Sequence, residues 1–255
     1  MIDIALAVMS ALAYGIAPIV YRPALSCMSQ YRVLSLFSLY SVALGLVLPW
    51  RDVRLEGAIY AAAAGIVGGV VGSWLYLTSI KTAGAALGNI SSSLYIVLLP
   101  LSAGRLYLAP SALLVLLGIA IAARSGGGSK AGVFYGVGAA VFWTWSIQLY
   151  ATAVEILGPG GASLYRGLFV SLAAAALAGR SGVCKAARVV AGGFLDTFVG
   201  FGAFTLAISL GDYVVAAIVV STYPLVTSLL ERPTSLRKVV GAAVAVIGLA
   251  TASIK

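Results

Sequence analysis

Leu77-Thr78-Ser79-Ile80 followed by Ser93-Leu94-Tyr95 returns later in the chain as Thr205-Leu206-Ala207-Ile208 followed by Ser221-Thr222-Tyr223. Both matches are displaced by the same 128 positions, 205 − 77 and 221 − 93. The alternative to duplication is chance similarity, since alanine- and valine-rich segments align at many offsets. We interpret the repeat as a duplicated module, and internal repeats in hydrophobic chains are typical of transporters. The two predicted units are residues 1–127 and 128–255.

The composition is that of an integral membrane protein. Of 255 residues, 62% are hydrophobic and 9% are charged, and the mean hydropathy is +1.08. Such a chain has too little polar surface to cover a soluble globule of this length. The net charge of +9 comes from basic residues that stand singly or in small groups between apolar runs. A nucleic-acid partner would need a basic patch instead, so we expect membrane lipid and no nucleic acid.

The residue types exclude several kinds of chemistry. Histidine is absent, and the only cysteines, Cys27 and Cys184, stand in separate polar connections. Without a set of imidazole or thiolate ligands, we predict no cofactor and no metal. A membrane-embedded enzyme would need a nucleophile with a base, or a metal set, at membrane depth, so we expect no enzyme. The first apolar run begins beside Asp3 without a basic segment and is expected to be its own insertion signal.

Ten apolar runs have about the length that a transmembrane helix needs, roughly 20 residues. They are residues 4–21, 33–50, 57–80, 83–103, 107–123, 131–154, 162–178, 189–210, 213–230 and 239–254. Five runs belong to each unit, and an odd number of spans makes the second unit enter the membrane from the opposite side. The sequence therefore predicts an all-α membrane protein with ten transmembrane helices arranged as two inverted five-helix repeats.

The basic residues give this arrangement a sidedness. Outside the spans they fall on one side, with only Arg51, Arg54, Arg105 and Lys255 on the other. Because cytoplasmic connections carry an excess of Lys and Arg, the richer side is predicted to be cytoplasmic. We therefore expect a multi-pass protein of the cell (plasma) membrane with both termini outside.

Several short motifs resemble the EamA family of the drug/metabolite transporter superfamily. Ser221-Thr222-Tyr223-Pro224-Leu225 precedes Glu231-Arg232, where that family commonly ends the helix with Gly-Glu-Arg, although Leu230 stands here in place of the glycine. Tyr31-Arg32 and Tyr165-Arg166 resemble the aromatic-arginine start of the second helix of each family repeat. The resemblance covers the whole chain. It implies an alternating-access carrier with a central cavity between the halves.

The resemblance implies a transporter without implying its substrate. Family members handle amino acids, other metabolites and toxic compounds, frequently by export. We expect a secondary active transporter that exports amino acids or similar small metabolites, with a small-molecule substrate, a coupling proton and a monomeric or homodimeric state. A multidrug (lipophilic cation)/proton antiporter is the alternative, but the distant small multidrug exporters carry a glutamate in the first helix that this chain lacks. A non-transporting scaffold or receptor is the alternative from another class.

Two charged residues are the strongest candidates for a site. Asp196 is the only acid deep inside a predicted span, where a charge in hydrocarbon costs several kcal/mol. It either binds a cationic substrate group, takes up a coupling proton, or is a structural carboxylate held by a neighbouring group. Arg166 either clamps a substrate carboxylate with its planar fork or extends to the nearby interface. The two residues are also able to form a pair, as a gate or as a structural bridge.

Further candidates come from polar and aromatic positions inside the spans. Tyr14, four residues after Ser10, is predicted to line the cavity with Trp143 and Gln148, and interhelical packing or an interfacial aromatic belt is the alternative for each. Analogous candidates are Trp74, Ser92, Tyr95, Ser221 and Tyr223. Pro18, Pro100 and Pro224 each remove a backbone donor within a span and are predicted hinges.

Overall fold

The computed structural model describes residues 1–122, 129–230 and 236–253, and its regular structure is entirely helical. The all-α prediction is confirmed. The α-helices are α1 (Ile2–Tyr21), α2 (Gln30–Val47), α3 (Leu55–Ala64), α4 (Ser73–Ala83), α5 (Ala85–Ser92), α6 (Tyr95–Ser102), α7 (Ala109–Ala122), α8 (Lys130–Ala178), α9 (Ala186–Gly193), α10 (Gly202–Leu210), α11 (Tyr213–Val220), α12 (Tyr223–Leu230) and α13 (Leu236–Ser253). Two π-helical stretches, Gly65–Gly72 and Phe194–Phe201, join α3 to α4 and α9 to α10.

Within the described residues, six helical stretches are long and apolar enough to cross a membrane. They are Ile2–Ser26, Gln30–Val47, Leu55–Ala83, Lys130–Ala178, Ala186–Leu210 and Tyr213–Leu230. Two shorter apolar helices cover Leu87–Ser102 and Leu106–Ile121. This pattern is compatible with a membrane protein.

The prediction of ten transmembrane helices in two inverted five-helix repeats is wrong. The predicted spans 131–154 and 162–178 lie in one helical stretch of 49 residues, α8, whose two parts meet at a kink at Gly158. The predicted span 83–103 is instead divided between α5 and α6, of eight residues each. The predicted sidedness and the outside position of both termini depended on the count of ten and no longer follow. The predicted boundary between residues 127 and 128 and the Glu231-Arg232 motif lie outside the described residues.

The kink in α8 has a local reason. Gly158 alone departs from helical geometry, with φ 77° and ψ 168°, and produces a kink that suits a residue without Cβ. The connection after α2 packs against this kink. The Arg51 amide donates to the Leu157 carbonyl at 2.8 Å, and the Gly160 amide donates to the Pro49 carbonyl at 2.9 Å. These contacts satisfy backbone groups that a kink leaves unpaired.

Both copies of the repeated serine motif lie at helix breaks. Ser93 separates α5 from α6, and Ser221, 128 positions later, separates α11 from α12. The Ser93 hydroxyl donates to the Asn89 carbonyl at 2.7 Å, and the Ser221 hydroxyl donates to the Ile218 carbonyl at 2.5 Å. A serine that bonds a carbonyl one turn back competes with the helical ladder, which favours a break there.

A disulfide joins two distant connections at one end of the helices. Cys27, after α1, is bonded to Cys184, before α9, across 157 positions of sequence. The same two connections are held by Lys185, whose ammonium donates to the Pro23 carbonyl at 2.9 Å. Arg32 adds a bond from Nε to the Ser181 carbonyl at 3.0 Å. Both cysteines therefore have a structural role. Their positions in the sequence did not predict that they pair with each other.

Candidate functional site

A cavity of about 160 Å³ lies among α1, α2, α4, α6, α8, α10, α11, α12 and the two π-helical stretches. Its wall contains two charged residues, Arg166 and Asp196. Ten further wall residues are aromatic: Tyr14, Tyr21, Phe37, Tyr76, Tyr95, Trp143, Tyr150, Phe201, Phe204 and Tyr223. Aromatic rings combine apolar area with a negative face and, in tyrosine, a polar end. The cavity wall is therefore mostly apolar and aromatic, with a charge at two points.

Arg166 enters the cavity from α8. Its guanidinium carbon lies 4.2 Å from the ring centroid of Phe201 and 5.8 Å from that of Tyr150. Gly69 lies beside it: a Cβ there would overlap Val170, but it would be at an ordinary van der Waals distance, 3.4 Å, from Arg166 Nη2. A cation over an aromatic face is stabilised by the ring quadrupole. The Arg166 side chain therefore lies in the cavity wall against these two rings.

Asp196 belongs to the π-helical stretch Phe194–Phe201 and is half-buried. Neither its carboxylate nor the Arg166 guanidinium has a hydrogen bond or an ion pair within the described residues. In particular, the two groups do not approach within the 4.0 Å of an ion pair. The direct Arg166–Asp196 pair considered from the sequence is therefore not formed. Two opposite charges therefore face one cavity. Neither the guanidinium N–H groups nor the carboxylate oxygens are hydrogen-bonded to the described residues, so both are available to a solute.

The other π-helical stretch, Gly65–Gly72, borders the cavity at Gly69. A π-helix leaves backbone carbonyls displaced from their usual partners, and such stretches are frequent at functional sites. Side chains of α8 supply partners here: Ser146 donates to the Ala64 carbonyl at 2.9 Å, and Trp143 Nε1 donates to the Gly68 carbonyl at 3.2 Å. Gly68 is required at this contact because a Cβ would overlap Ser146. The stretch is thus held firmly against α8 while its Gly69 side borders the cavity.

A fully buried asparagine lies behind the cavity wall and was missed by the sequence reasoning. Asn89, on α5, accepts a hydrogen bond from the Tyr76 hydroxyl at 2.5 Å and donates to Thr227 Oγ1 at 2.7 Å. Next to it, the hydroxyls of Ser92 and Tyr223 are 2.8 Å apart. The sequence feature that marks it is an amide side chain inside an apolar run, because a buried amide needs hydrogen-bond partners.

The structure brings together six of the residues predicted for the site: Tyr14, Tyr95, Trp143, Arg166, Asp196 and Tyr223 line the cavity. The other five do not line it. Trp74 stacks on Tyr31 with ring centroids 5.9 Å apart, and the buried Ser92 and Ser221 bond to neighbours at the two helix breaks. The Ser10 hydroxyl is buried without a partner in the described part of the chain. Gln148 borders a different pocket.

The three predicted hinge prolines differ in their positions. Pro224 is the second residue of α12, directly after the break at Ser221, where a missing backbone donor costs nothing. Pro18 and Pro100 lie inside α1 and α6, three and two residues before those helices end. Only Pro224 therefore adjoins a break between two helices.

The second pocket, of about 410 Å³, is polar and borders Arg51, Gln148, Glu155 and Tyr213 among others. Near it, an ion pair joins Arg105 to Asp212 at 3.3 Å. A hydrogen bond to Tyr107, together with the Asp212 carboxylate, raises the pKa of Arg105 above its usual value. This pocket contacts neither Arg166 nor Asp196, so it is separate from the candidate site.

No protein-family model matches this chain, and no curated protein matches it either. Among solved structures, a crystal structure of a protein superposes with a TM-score of 0.73 over 98% of this chain and 97% of that chain, at 15% sequence identity. A likeness at this identity concerns the fold alone. The two chains share their helical architecture over nearly their entire lengths.

Proposed function

We propose that this protein is a secondary active membrane transporter of the EamA type that exports amino acids or similar small zwitterionic metabolites by alternating access. The observation that carries the proposal is the pair Arg166 and Asp196, which face the same cavity without a hydrogen bond or ion pair to each other or to any other residue in the described ranges. Unpaired charges are costly in an apolar surrounding. A solute that brings a carboxylate and an ammonium group satisfies both at once.

The chemistry of each pole supports this assignment. The guanidinium of Arg166 offers paired donors that match a carboxylate, and Phe201 beneath it leaves the edge of the guanidinium for the ligand. The carboxylate of Asp196 accepts bonds from an ammonium group or takes up a coupling proton. The aromatic wall between them suits an apolar or neutral side chain.

The volume supports a small solute. One water needs roughly 10–15 Å³ of cavity volume. The cavity of about 160 Å³ therefore has space for about a dozen waters. Bulky lipophilic cations exceed this space unless the cavity widens. The ten aromatic wall residues nevertheless suit a cation, so multidrug/proton antiport is the second candidate.

The helix breaks support alternating access. Discontinuous helices near the membrane centre are a recurring feature of secondary transporters, where they line the substrate site. Here α5 and α6 break at Ser93, and α11 and α12 break at Ser221, with Tyr95 and Tyr223 directly after the breaks in the cavity wall. Movement at either break therefore changes the shape of the cavity.

The test uses the purified full-length protein and a panel of amino acids, organic cations, organic anions and nucleotide sugars. A ligand that binds only the folded state raises the apparent melting temperature. We expect amino acids to stabilise the protein and lipophilic cations not to do so, and we expect the stabilising amino acid to exchange across proteoliposome membranes. Stabilisation by lipophilic cations alone would favour the multidrug candidate. Binding without any flux would favour a receptor.

A further inference from the structure

The hydrogen bonds behind the cavity wall have a direction that the backbone determines. Thr227 Oγ1 lies 2.7 Å from the Gly15 carbonyl and 3.3 Å from the Tyr223 carbonyl. Both carbonyls only accept, so the single hydroxyl hydrogen of Thr227 is used on one of them. Thr227 Oγ1 must then accept from Asn89, which requires the amide nitrogen of Asn89 to face Thr227.

The orientation of the Asn89 amide sets the orientation of the next group. With its nitrogen on Thr227, its oxygen faces Tyr76, and an amide oxygen only accepts. The Tyr76 hydroxyl therefore donates to Asn89, away from the cavity. Thr227, Asn89 and Tyr76 are all buried, so bulk water does not compete for these bonds.

A second tyrosine of the wall is directed in the same way. The hydroxyls of Tyr223 and Ser92 lie 2.8 Å apart, and Ser92 Oγ is also 3.0 Å from the backbone carbonyl of Asn89. The Tyr223 hydroxyl is itself 3.4 Å from that carbonyl. When Ser92 donates to the carbonyl, Tyr223 donates to Ser92. The Tyr223 hydrogen thus also finds its acceptor beside Asn89.

We infer that Asn89 is a positioning residue for the solute: it holds the hydroxyl hydrogens of Tyr76 and Tyr223 away from the cavity, so that this wall accepts hydrogen bonds and does not donate them. An accepting wall binds an ammonium group and disfavours a carboxylate. Together with Asp196 it forms one pole, and the donors of Arg166 form the other. The inference deepens the proposed function, on which it rests, by fixing the orientation of the zwitterion.

The test separates the two ends of the solute. Leucine, its decarboxylated amine 3-methylbutan-1-amine and its deaminated acid 4-methylpentanoate are titrated into the purified full-length protein, and each Kd is measured by calorimetry. In Asn89→Leu the Tyr76 hydroxyl loses its acceptor and is free to turn its hydrogen into the cavity. We expect amine binding to weaken by about tenfold, the worth of a hydrogen bond to a charged group, and acid binding to weaken by less than about twofold.

Two further variants make the result specific. Tyr76→Phe keeps the ring in the wall but removes the accepting oxygen, so it is expected to weaken amine binding selectively, and it serves if Asn89→Leu does not fold. Thr251→Val is the matched control, because it removes a hydroxyl bond between α13 and Ser111 of α7, and neither residue lines the cavity. This control is expected to change neither affinity.

The outcomes distinguish the inference from the proposed function. Equal weakening of amine and acid in Asn89→Leu and in Tyr76→Phe, or no change in either, overturns the positioning role while leucine binding leaves the carrier proposal standing. Asn89-dependent amine binding without leucine binding supports the accepting wall and refutes the zwitterion carrier. Failure of all three compounds to bind the wild-type protein overturns both.

Discussion

Replacement of Arg166 by glutamine tests the carboxylate pole directly. Two charge-assisted hydrogen bonds from a guanidinium to a carboxylate are worth about 3 kcal/mol at the lower end of their range, and one neutral bond from glutamine restores about 1 kcal/mol. The net loss of about 2 kcal/mol predicts that the Kd of the amino acid rises about 30-fold. The corresponding amine, which has no carboxylate, is expected to keep its affinity.

The substitution is also expected to leave the fold intact. It removes the cation over Phe201, at 4.2 Å, but it also relieves a guanidinium that is half-buried without an anionic partner. These two effects oppose each other. Binding is measured by calorimetry on purified protein, with Arg188→Gln as the matched control because Arg188 is exposed outside the cavity. A change below about threefold for the amino acid, against the 30-fold expected from the lost bonds, would refute the reasoning. So would an equal loss for the amine.

Three further predictions concern the other pole, the packing and the disulfide. Asp196→Asn is expected to abolish uptake into proteoliposomes without loss of folded protein, since the carboxylate makes no hydrogen bond in the described structure; wild-type transport with unchanged pH dependence would contradict this. Gly68→Val is expected to cost about 1–3 kcal/mol, because a Cβ there overlaps α8, whereas Gly182→Ala has open space and should melt like the wild type in a thermal unfolding scan. Replacing Cys27 and Cys184 by serine is expected to destabilise the protein by about 2–4 kcal/mol and to remove the effect of a reductant on the melting temperature; identical melting with and without reductant in the wild type would refute the disulfide.

The cavity shows which site residues can be predicted from residue types alone. Asp196 and Arg166 are conspicuous in the sequence because charges inside apolar runs are expensive. Six of the predicted residues share the cavity wall, whereas Gln148 and Trp74 face other surroundings. Which face of a helix a residue occupies relative to its neighbours is a matter of packing. Hydropathy therefore did not separate the two groups, and it gave no reason to select Asn89.

The number of helices shows what residue patterns alone do not decide. The predicted connection between two spans at Gly158-Pro159 is a kink inside α8, where Gly158 is non-helical and residues 49–51 supply hydrogen bonds to the backbone on either side. In the apolar run 83–103 the helical ladder changes at Ser93, where the backbone makes bonds between residues three apart, and two short helices result. A residue pattern marks where a helix is weak. Contacts from elsewhere in the chain decide whether it ends there.

The amino-acid sequence by itself determined that this protein is helical and apolar enough for a membrane, because composition and run length depend only on residue types. It also determined where the repeated serines stand. Only the tertiary structure decided that those serines are helix breaks, that Cys27 pairs with Cys184, and that Arg166 and Asp196 share a cavity without touching. The physical reason is that hydrogen-bond direction, close packing and distances between charges arise between segments far apart in the chain, where no local pattern specifies them.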